Sequence, residues 1–299
     1  MINLEVNIIG LENGEKITYR QLNEGTGLPT LLLIHGNMSS SIHFQTLMER
    51  LSSNYHLVAL DLPGFGDSSY NREHSSLLEF AEDVLELVDA MNLETFDVLG
   101  WSTGGGIALE LAYLIPERVK KVYLLSSVGP KGYPMFKKDS QFQPILTERL
   151  TTKEEIAQDP VQVLPVLKLY EDNDTEAMRT IWNYSIYTQT QPEEDEYNQY
   201  LTEILKQRNL VDIDYSLVHF NITDESNGVA EGSGHVHGIK AEVFIIHGEK
   251  DLVVPVSEAE LMKTVFGDQA TLHVFEGAGH AIVQDDMDGL VKLLIDGGR

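Results

Sequence analysis

Apolar and polar positions alternate along residues 3–9 and again along 16–22, with Leu11-Glu12-Asn13-Gly14 between the two runs. Period-two segments around an Asn-Gly pair predict an antiparallel hairpin at a sheet edge. A different pattern begins at Thr30. Residues 30–34 and 56–60 are short and almost continuously apolar, as strands buried on both faces require, and further strands are expected at 95–99, 119–125, 242–248 and 271–275. Helical periodicity fills several of the gaps. Leu77, Phe80, Ala81, Val84, Leu87, Val88 and Met91 recur at three- and four-residue spacing along 77–91. Further helices are expected up to Leu51, from Ile107 to Ile115 before Pro116, at 257–266, and at the C-terminal end to about 296. This β-α alternation predicts an α/β fold, a mostly parallel doubly wound sheet of about eight strands.

The alternation is interrupted once, after the sixth strand. From 130 to 239 the buried-strand runs vanish, and helical segments are expected near 148–158, 161–171, 175–187 and 193–208. Residues 209–238, with glycines at 228, 232, 234 and 238, read as irregular. A direct crossover needs only about a dozen residues. The chain therefore divides into a core, 1–129 and 240–299, and a mainly helical cap or lid inserted at 130–239.

Ligand chemistry in such sheets gathers beyond the carboxyl ends of the strands. The strand at 95–99 ends in Gly100-Trp101-Ser102-Thr103-Gly104, a G-x-S-x-G pattern. Small residues on both sides of Ser102 allow a reversal tight enough to lift its hydroxyl out of the sheet and set a helix N-terminus behind it. A serine hydroxyl needs a base to become a nucleophile. His280 follows the last strand in Gly277-Ala278-Gly279-His280, and Asp251 follows the preceding strand in Gly248-Glu249-Lys250-Asp251. The strand at 119–125 leads into Ser126-Ser127-Val128-Gly129, which offers no rival carboxylate. The order Ser102, Asp251, His280 is that of hydrolases built on this elbow.

With His35-Gly36, Asp61-Leu62-Pro63-Gly64-Phe65-Gly66-Asp67-Ser68, the elbow, Gly248-Glu249-Lys250-Asp251 and Gly279-His280, the chain resembles the α/β-hydrolase superfamily from 1 to about 129 and from 240 onward. The resemblance implies a Ser102-His280-Asp251 triad. It also implies an oxyanion hole from the backbone N–H groups of Thr103 and Asn37, the latter preferred to Met38. Relatives that open epoxides or displace halide carry Asp at the nucleophile position, so Ser102 argues against those activities although His35-Gly36-Asn37 resembles the dehalogenase loop. Asp285, Asp286 and Asp288 stand where the family often has Glu-x-Pro, and they suit a helix start without a catalytic role. No motif in the inserted segment reaches the substrate.

Charge and composition narrow the function further. Lys and Arg number 21 against 47 Asp and Glu, a formal charge of −26 that disfavours nucleic acid and anionic membrane surfaces. There is no cysteine, hence no disulfide or thiolate chemistry. Neither a leader in Met1–Val6 nor a membrane-length apolar run is discernible, and the expectation is a cytoplasmic protein. His35 is expected to brace its loop, and Asp61 and Asp67 to pin theirs. His235-Val236-His237 reads as a flexible glycine-rich loop rather than a metal site. Trp182, Tyr184, Tyr187 and Tyr170 read first as the core of the insert. The expected activity is hydrolysis of a small-molecule carboxylic ester, lactone or thioester through an acyl-enzyme, chemistry that needs no cofactor or metal; any protein partner is unknown. C–C bond hydrolysis, cofactor-free haloperoxidase or perhydrolase chemistry, and a ligand sensor with a slow triad are the alternatives.

Overall fold

The computed structural model describes residues 4–298; Asn3, where the predicted edge strand begins, and the first residues read for a leader lie outside them. Strands β1 (Val6–Gly10) and β2 (Lys16–Leu22) form the hairpin, with Val6 opposite Arg20 and Gly10 opposite Lys16. Gly14 makes the turn at φ 92°, a backbone state open to glycine at no steric cost. The alternating units follow: β3 (Thr30–Ile34), α1 (Gln45–Leu51), β4 (His56–Leu60), α2 (Leu77–Ala90), β5 (Phe96–Trp101), α3 (Thr103–Leu114) and β6 (Val119–Leu125).

Between β6 and the next strand of the sheet the chain forms a small antiparallel ribbon, β7 (Phe136–Lys138) and β8 (Pro144–Arg149). Helices α4 (Lys153–Ala157), α5 (Leu164–Asp172), α6 (Thr175–Ser185), α7 (Glu194–Ile204) and α8 (Leu210–His219) come next. The sheet resumes with β9 (Glu242–Gly248), α9 (Val256–Phe266), β10 (Ala270–Phe275), α10 (Ile282–Asp285) and α11 (Met287–Ile295). Strand order is β1-β2-β4-β3-β5-β6-β9-β10, parallel throughout from β4 to β10, with β2 antiparallel to both of its neighbours.

The period-two pleat sorts each buried strand between two cores. On β3, Leu31 and Leu33 join Leu47 and Met48 of α1 and Leu290 and Leu294 of α11. Leu32 and Ile34 join Phe80 and Val84 of α2, Ile107 of α3 and Met262 of α9 on the opposite face. Both faces being covered by helices explains why these strands read as unbroken apolar runs.

Three local expectations change. The helix expected at 148–158 divides, because residues up to Arg149 pair with Phe136–Lys138 and only Lys153–Ala157 is helical, capped by the Thr152 side chain. The ribbon is mostly exposed and carries no clean alternation, so its pairing partner rather than its own pattern determines it. The span 209–238, expected to be irregular, begins with α8, which buries Leu210, Ile213 and Leu217; all four glycines fall after it. The last helix is broken at Asp286 (φ −149°, ψ 67°), whose side chain accepts from Gly289 N–H and caps α11.

Candidate active site

Ser102 sits between β5 and α3 at φ 55°, ψ −119°, a strained backbone state for a residue with a side chain. Three hydrogen bonds hold it there: Ser102 N–H to Leu125 O (2.9 Å), and Gly105 N–H (3.0 Å) and Val128 N–H (3.1 Å) to Ser102 O. Two glycines make the reversal possible. A Cβ on Gly100 would run into the Gly104 carbonyl, and one on Gly104 into the Ile34 carbonyl. The glycine requirement thus comes from backbone packed against backbone.

His280 and Asp251 arrive from neighbouring loops that are tied together. Lys250 N–H donates to Ala278 O (2.8 Å), and Trp101 Nε1 donates to His280 O (3.1 Å), which anchors the His280 backbone to the elbow. Asp251 Oδ2 lies 2.8 Å from His280 Nδ1, while its Oδ1 accepts from Val253 N–H (2.8 Å) and Val254 N–H (2.9 Å). Burial alone would raise the Asp251 carboxyl. The His280 ring, the backbone donors and His247 outweigh it and hold the group below the ordinary carboxylate range. His247 Nε2, 3.4 Å from Asp251 Oδ2, donates to Val254 O (2.8 Å), and burial lowers its own affinity for a proton.

Ser102 and His280 line one cavity of about 390 Å³, with no hydrogen bond between them among the described residues. Such bonds are often loose without substrate and tighten in the reacting complex. Asn37, Met38 and Thr103 lie on the same wall. Met38 N–H is engaged by Asn37 Oδ1 (2.9 Å) and Gln207 Oε1 (3.1 Å). Gln207 Nε2 in turn donates to Asn37 Oδ1 (2.8 Å), and Asn37 Nδ2 to Asp214 Oδ1 (3.1 Å), so the loop after β3 is fastened to the segment entering α8.

His35 has both ring nitrogens in use: Nδ1 faces Gly36 O (2.7 Å) and Nε2 accepts from Leu62 N–H (3.0 Å). Burial pushes it down to about 4, leaving a neutral brace between two loops. Asp61 accepts from Ser41 N–H (2.8 Å) and Asp67 N–H (3.2 Å), and Asp67 pairs with Lys206 (2.8 Å). Asp285 accepts from Gly279 N–H (2.7 Å) and Thr190 N–H (3.0 Å), joining the His280 turn to the inserted segment. Trp182 and Tyr187 are buried, and Tyr170 donates to Gln207 Oε1 (2.8 Å); Tyr184, 85% exposed, belongs to no core. His235 is no part of a loose loop. It lies 2.7 Å from Glu110 Oε2 and stacks on Tyr113 at 3.8 Å, while His237 meets Asp224 at 2.8 Å.

Two residues of the site escaped the sequence reading, Gln207 and Asp214. Leu210, Asp214 and Leu217, spaced i, i+4 and i+7, all line the cavity. An acid inside an apolar helical stripe was the signal, hidden because the glycines downstream made the span look irregular.

Comparison with known proteins agrees with this architecture. A family model described as alpha/beta hydrolase fold matches residues 29–286. The chain is 24% identical over 283 residues to a 2-hydroxymuconate semialdehyde hydrolase of Pseudomonas sp. (strain CF600), covering 86% of this chain and 81% of that protein. It is 25% identical to a 2-hydroxy-6-oxononadienedioate/2-hydroxy-6-oxononatrienedioate hydrolase of Paraburkholderia phymatum, covering 96% and 92% of the two chains. The fold superposes on an esterase from Exiguobacterium antarcticum with a TM-score of 0.71 at 22% identity, covering 98% of this chain and 99% of the other. With the eight-stranded sheet and the serine elbow at the end of β5, the family match makes this chain a member of the α/β-hydrolase family, and a hydrolase.

Proposed function

We propose that the protein is a serine hydrolase that cleaves a carboxylic ester, or a related lactone or thioester, through an acyl-enzyme on Ser102. The observation that carries this reading is the buried 2.8 Å contact between Asp251 Oδ2 and His280 Nδ1 beside a serine strained at φ 55° on the same cavity. Asp251 fixes the tautomer that leaves His280 Nε2 free to accept. Nε2 takes the Ser102 proton as Oγ adds to the carbonyl carbon, and the resulting oxyanion is received by the Thr103 and Asn37 N–H groups. The imidazolium protonates the departing alkoxide or thiolate. Water then repeats the sequence on the acyl-enzyme, giving the acid and restoring Ser102. Capture of the Met38 N–H by Asn37 Oδ1 and Gln207 Oε1 supports Asn37 rather than Met38 as the donor from that loop. In this reading residues 130–239 act as the cap, and Val166 and Trp182 supply apolar wall to the acyl pocket.

C–C bond hydrolysis at the same serine is the second reading, favoured by the two relatives whose names specify semialdehyde and dienedioate substrates. A panel of p-nitrophenyl esters, lactones and a 2-hydroxy-6-oxo-dienoate, with Ser102→Ala as the blank, separates the two. Ester turnover that falls at least about 10³-fold in Ser102→Ala is the expected result. Ester hydrolysis unchanged in that variant would remove Ser102 from the mechanism. Sustained turnover, as against a single slow acylation with retained product, distinguishes an enzyme from a ligand sensor.

A further inference from the structure

The cavity wall carries one formal charge that the triad chemistry does not use. Asp214 faces it from α8, and among the described residues neither Lys nor Arg lines the cavity. Asp214 takes part in no ion pair among the described residues; its side-chain partner is Asn37 Nδ2 at 3.1 Å. The nearby carboxylate of Asp159 adds repulsion and is itself matched by Lys138 at 2.7 Å, so that lysine is spoken for. The cavity lining is mostly apolar or aromatic, with Tyr133, Met135, Val166, Trp182 and Leu217 among it, and its uncharged polar members include Gln162 and Ser185. A carboxylate enclosed by such groups is disfavoured unless a cation or several donors meet it. The described residues supply one hydrogen-bond donor, Asn37 Nδ2.

We propose that Asp214 is a specificity-determining residue of this hydrolase, selecting substrates that bring an ammonium group into the cavity and rejecting those that bring a carboxylate. The proposal rests on Ser102 as nucleophile for its kinetic form only, since recognition by Asp214 does not require turnover. It separates this chain from the relatives named for semialdehyde and dienedioate hydrolysis, because a dienedioate carries two carboxylates and would set like charges together here. Burial also holds the Asp214 carboxyl up to about 7, the mark of a site where the carboxylate lacks a cationic partner, and an ammonium ligand would reverse that. Trp101 and Trp182, the only two tryptophans of the chain, both line the cavity, so their emission reports its occupancy.

The kinetic test uses three p-nitrophenyl esters of matched shape at pH 8.5: 5,5-dimethylhexanoate (neutral), 4-(trimethylammonio)butyrate (cationic) and glutarate (anionic). The expected order of kcat/KM is cationic, neutral, anionic, with a cationic-to-anionic ratio of about 100 or more. Asp214→Asn, which keeps an acceptor for Asn37, should collapse that ratio at least about tenfold. The ratio is the readout, since the variant alters the pocket for every ester. In parallel, tryptophan emission is titrated with choline, 3,3-dimethylbutan-1-ol and 3,3-dimethylbutanoate. Choline should bind most tightly to the parent enzyme and lose that advantage in Asp214→Asn. If no ester is turned over, the acyl-enzyme reading fails and the titration still decides the recognition. A ratio near one, a ratio unchanged by Asp214→Asn, or binding that is absent or indifferent to ligand charge overturns the proposal.

Discussion

Replacing Asp251 by Asn tests the proposed triad at the point where geometry gives the sharpest expectation. The amide is isosteric with the carboxylate, so its oxygen can keep the Val253 and Val254 N–H bonds that Oδ1 now accepts at 2.8 and 2.9 Å. What it loses is the charge 2.8 Å from His280 Nδ1. An Asn Nδ2 facing that nitrogen is itself a donor, which obliges Nδ1 to accept and places the ring proton on Nε2, where it cannot take the proton of Ser102. The imidazolium formed during acylation also loses its counter-charge. Two unit charges about 4 Å apart at an effective dielectric of about 20 attract by roughly 4 kcal/mol, or about 10³ in rate. Adding the tautomer error gives an expected loss of about 10³ to 10⁴ in kcat. Asp251 does not line the cavity, so KM should stay within about threefold. The assay is steady-state hydrolysis of p-nitrophenyl butyrate with Ser102→Ala as the zero, alongside circular dichroism to check the fold. Retention of more than about a tenth of kcat by a folded Asp251→Asn variant would refute Asp251 as the orienting acid.

Asp214→Asn carries a second expectation, this one in stability. The folded pKa of about 7 stands above the ordinary value of about 3.9, so the stabilising contribution of this group is lost as pH rises from about 4 to 7 in the parent and has no counterpart in the Asn variant. The variant's advantage in chemical denaturation should therefore grow by about 2 to 4 kcal/mol between pH 4 and pH 8, and a constant difference across that range would contradict it. Gln207→Ala removes a buried amide that joins Asn37, Met38, Tyr170 and Asn209. It should cost about 1 to 3 kcal/mol in urea unfolding and lower kcat, through release of the Asn37 loop, by more than it alters KM. Gly104→Ala drives a Cβ into the Ile34 carbonyl; a soluble variant with parental Tm would show that the elbow can relax.

Much of this was legible in the sequence because the buried parallel strands leave no room for ambiguity. The runs at 30–34, 56–60 and 119–125 coincide with β3, β4 and β6 because both faces of each strand are covered, and the helix at 77–91 ends within a residue of α2. Ser102, Asp251 and His280 stand out as candidates because each follows a strand of the parallel sheet, where glycine and turn chemistry mark the chain. The inserted segment obeys different physics. Pro144–Arg149 is a strand only because Phe136–Lys138 lies beside it, a pairing that a local window does not contain. Leu210–His219 is a helix whose apolar stripe packs into the core through Ile213 and also borders the cavity, where Asp214 stands between Leu210 and Leu217. Tyr184 stands two residues after Trp182, about 200° around α6, so it turns outward where Trp182 is buried, and Tyr187 lies past the end of that helix.

The carboxylate of Asp285 divides its two oxygens between Gly279 N–H, one residue before His280, and Thr190 N–H in the insert. Exchange of the segment between β6 and β9, which supplies Val166 and Trp182 to the cavity lining, is therefore not a purely modular operation. A transplanted segment that presents no amide at that point leaves Asp285 half satisfied and the turn carrying His280 tethered from one side only. Libraries built on this scaffold would do well to keep the stretch around Thr190 fixed and to vary the helices beyond it.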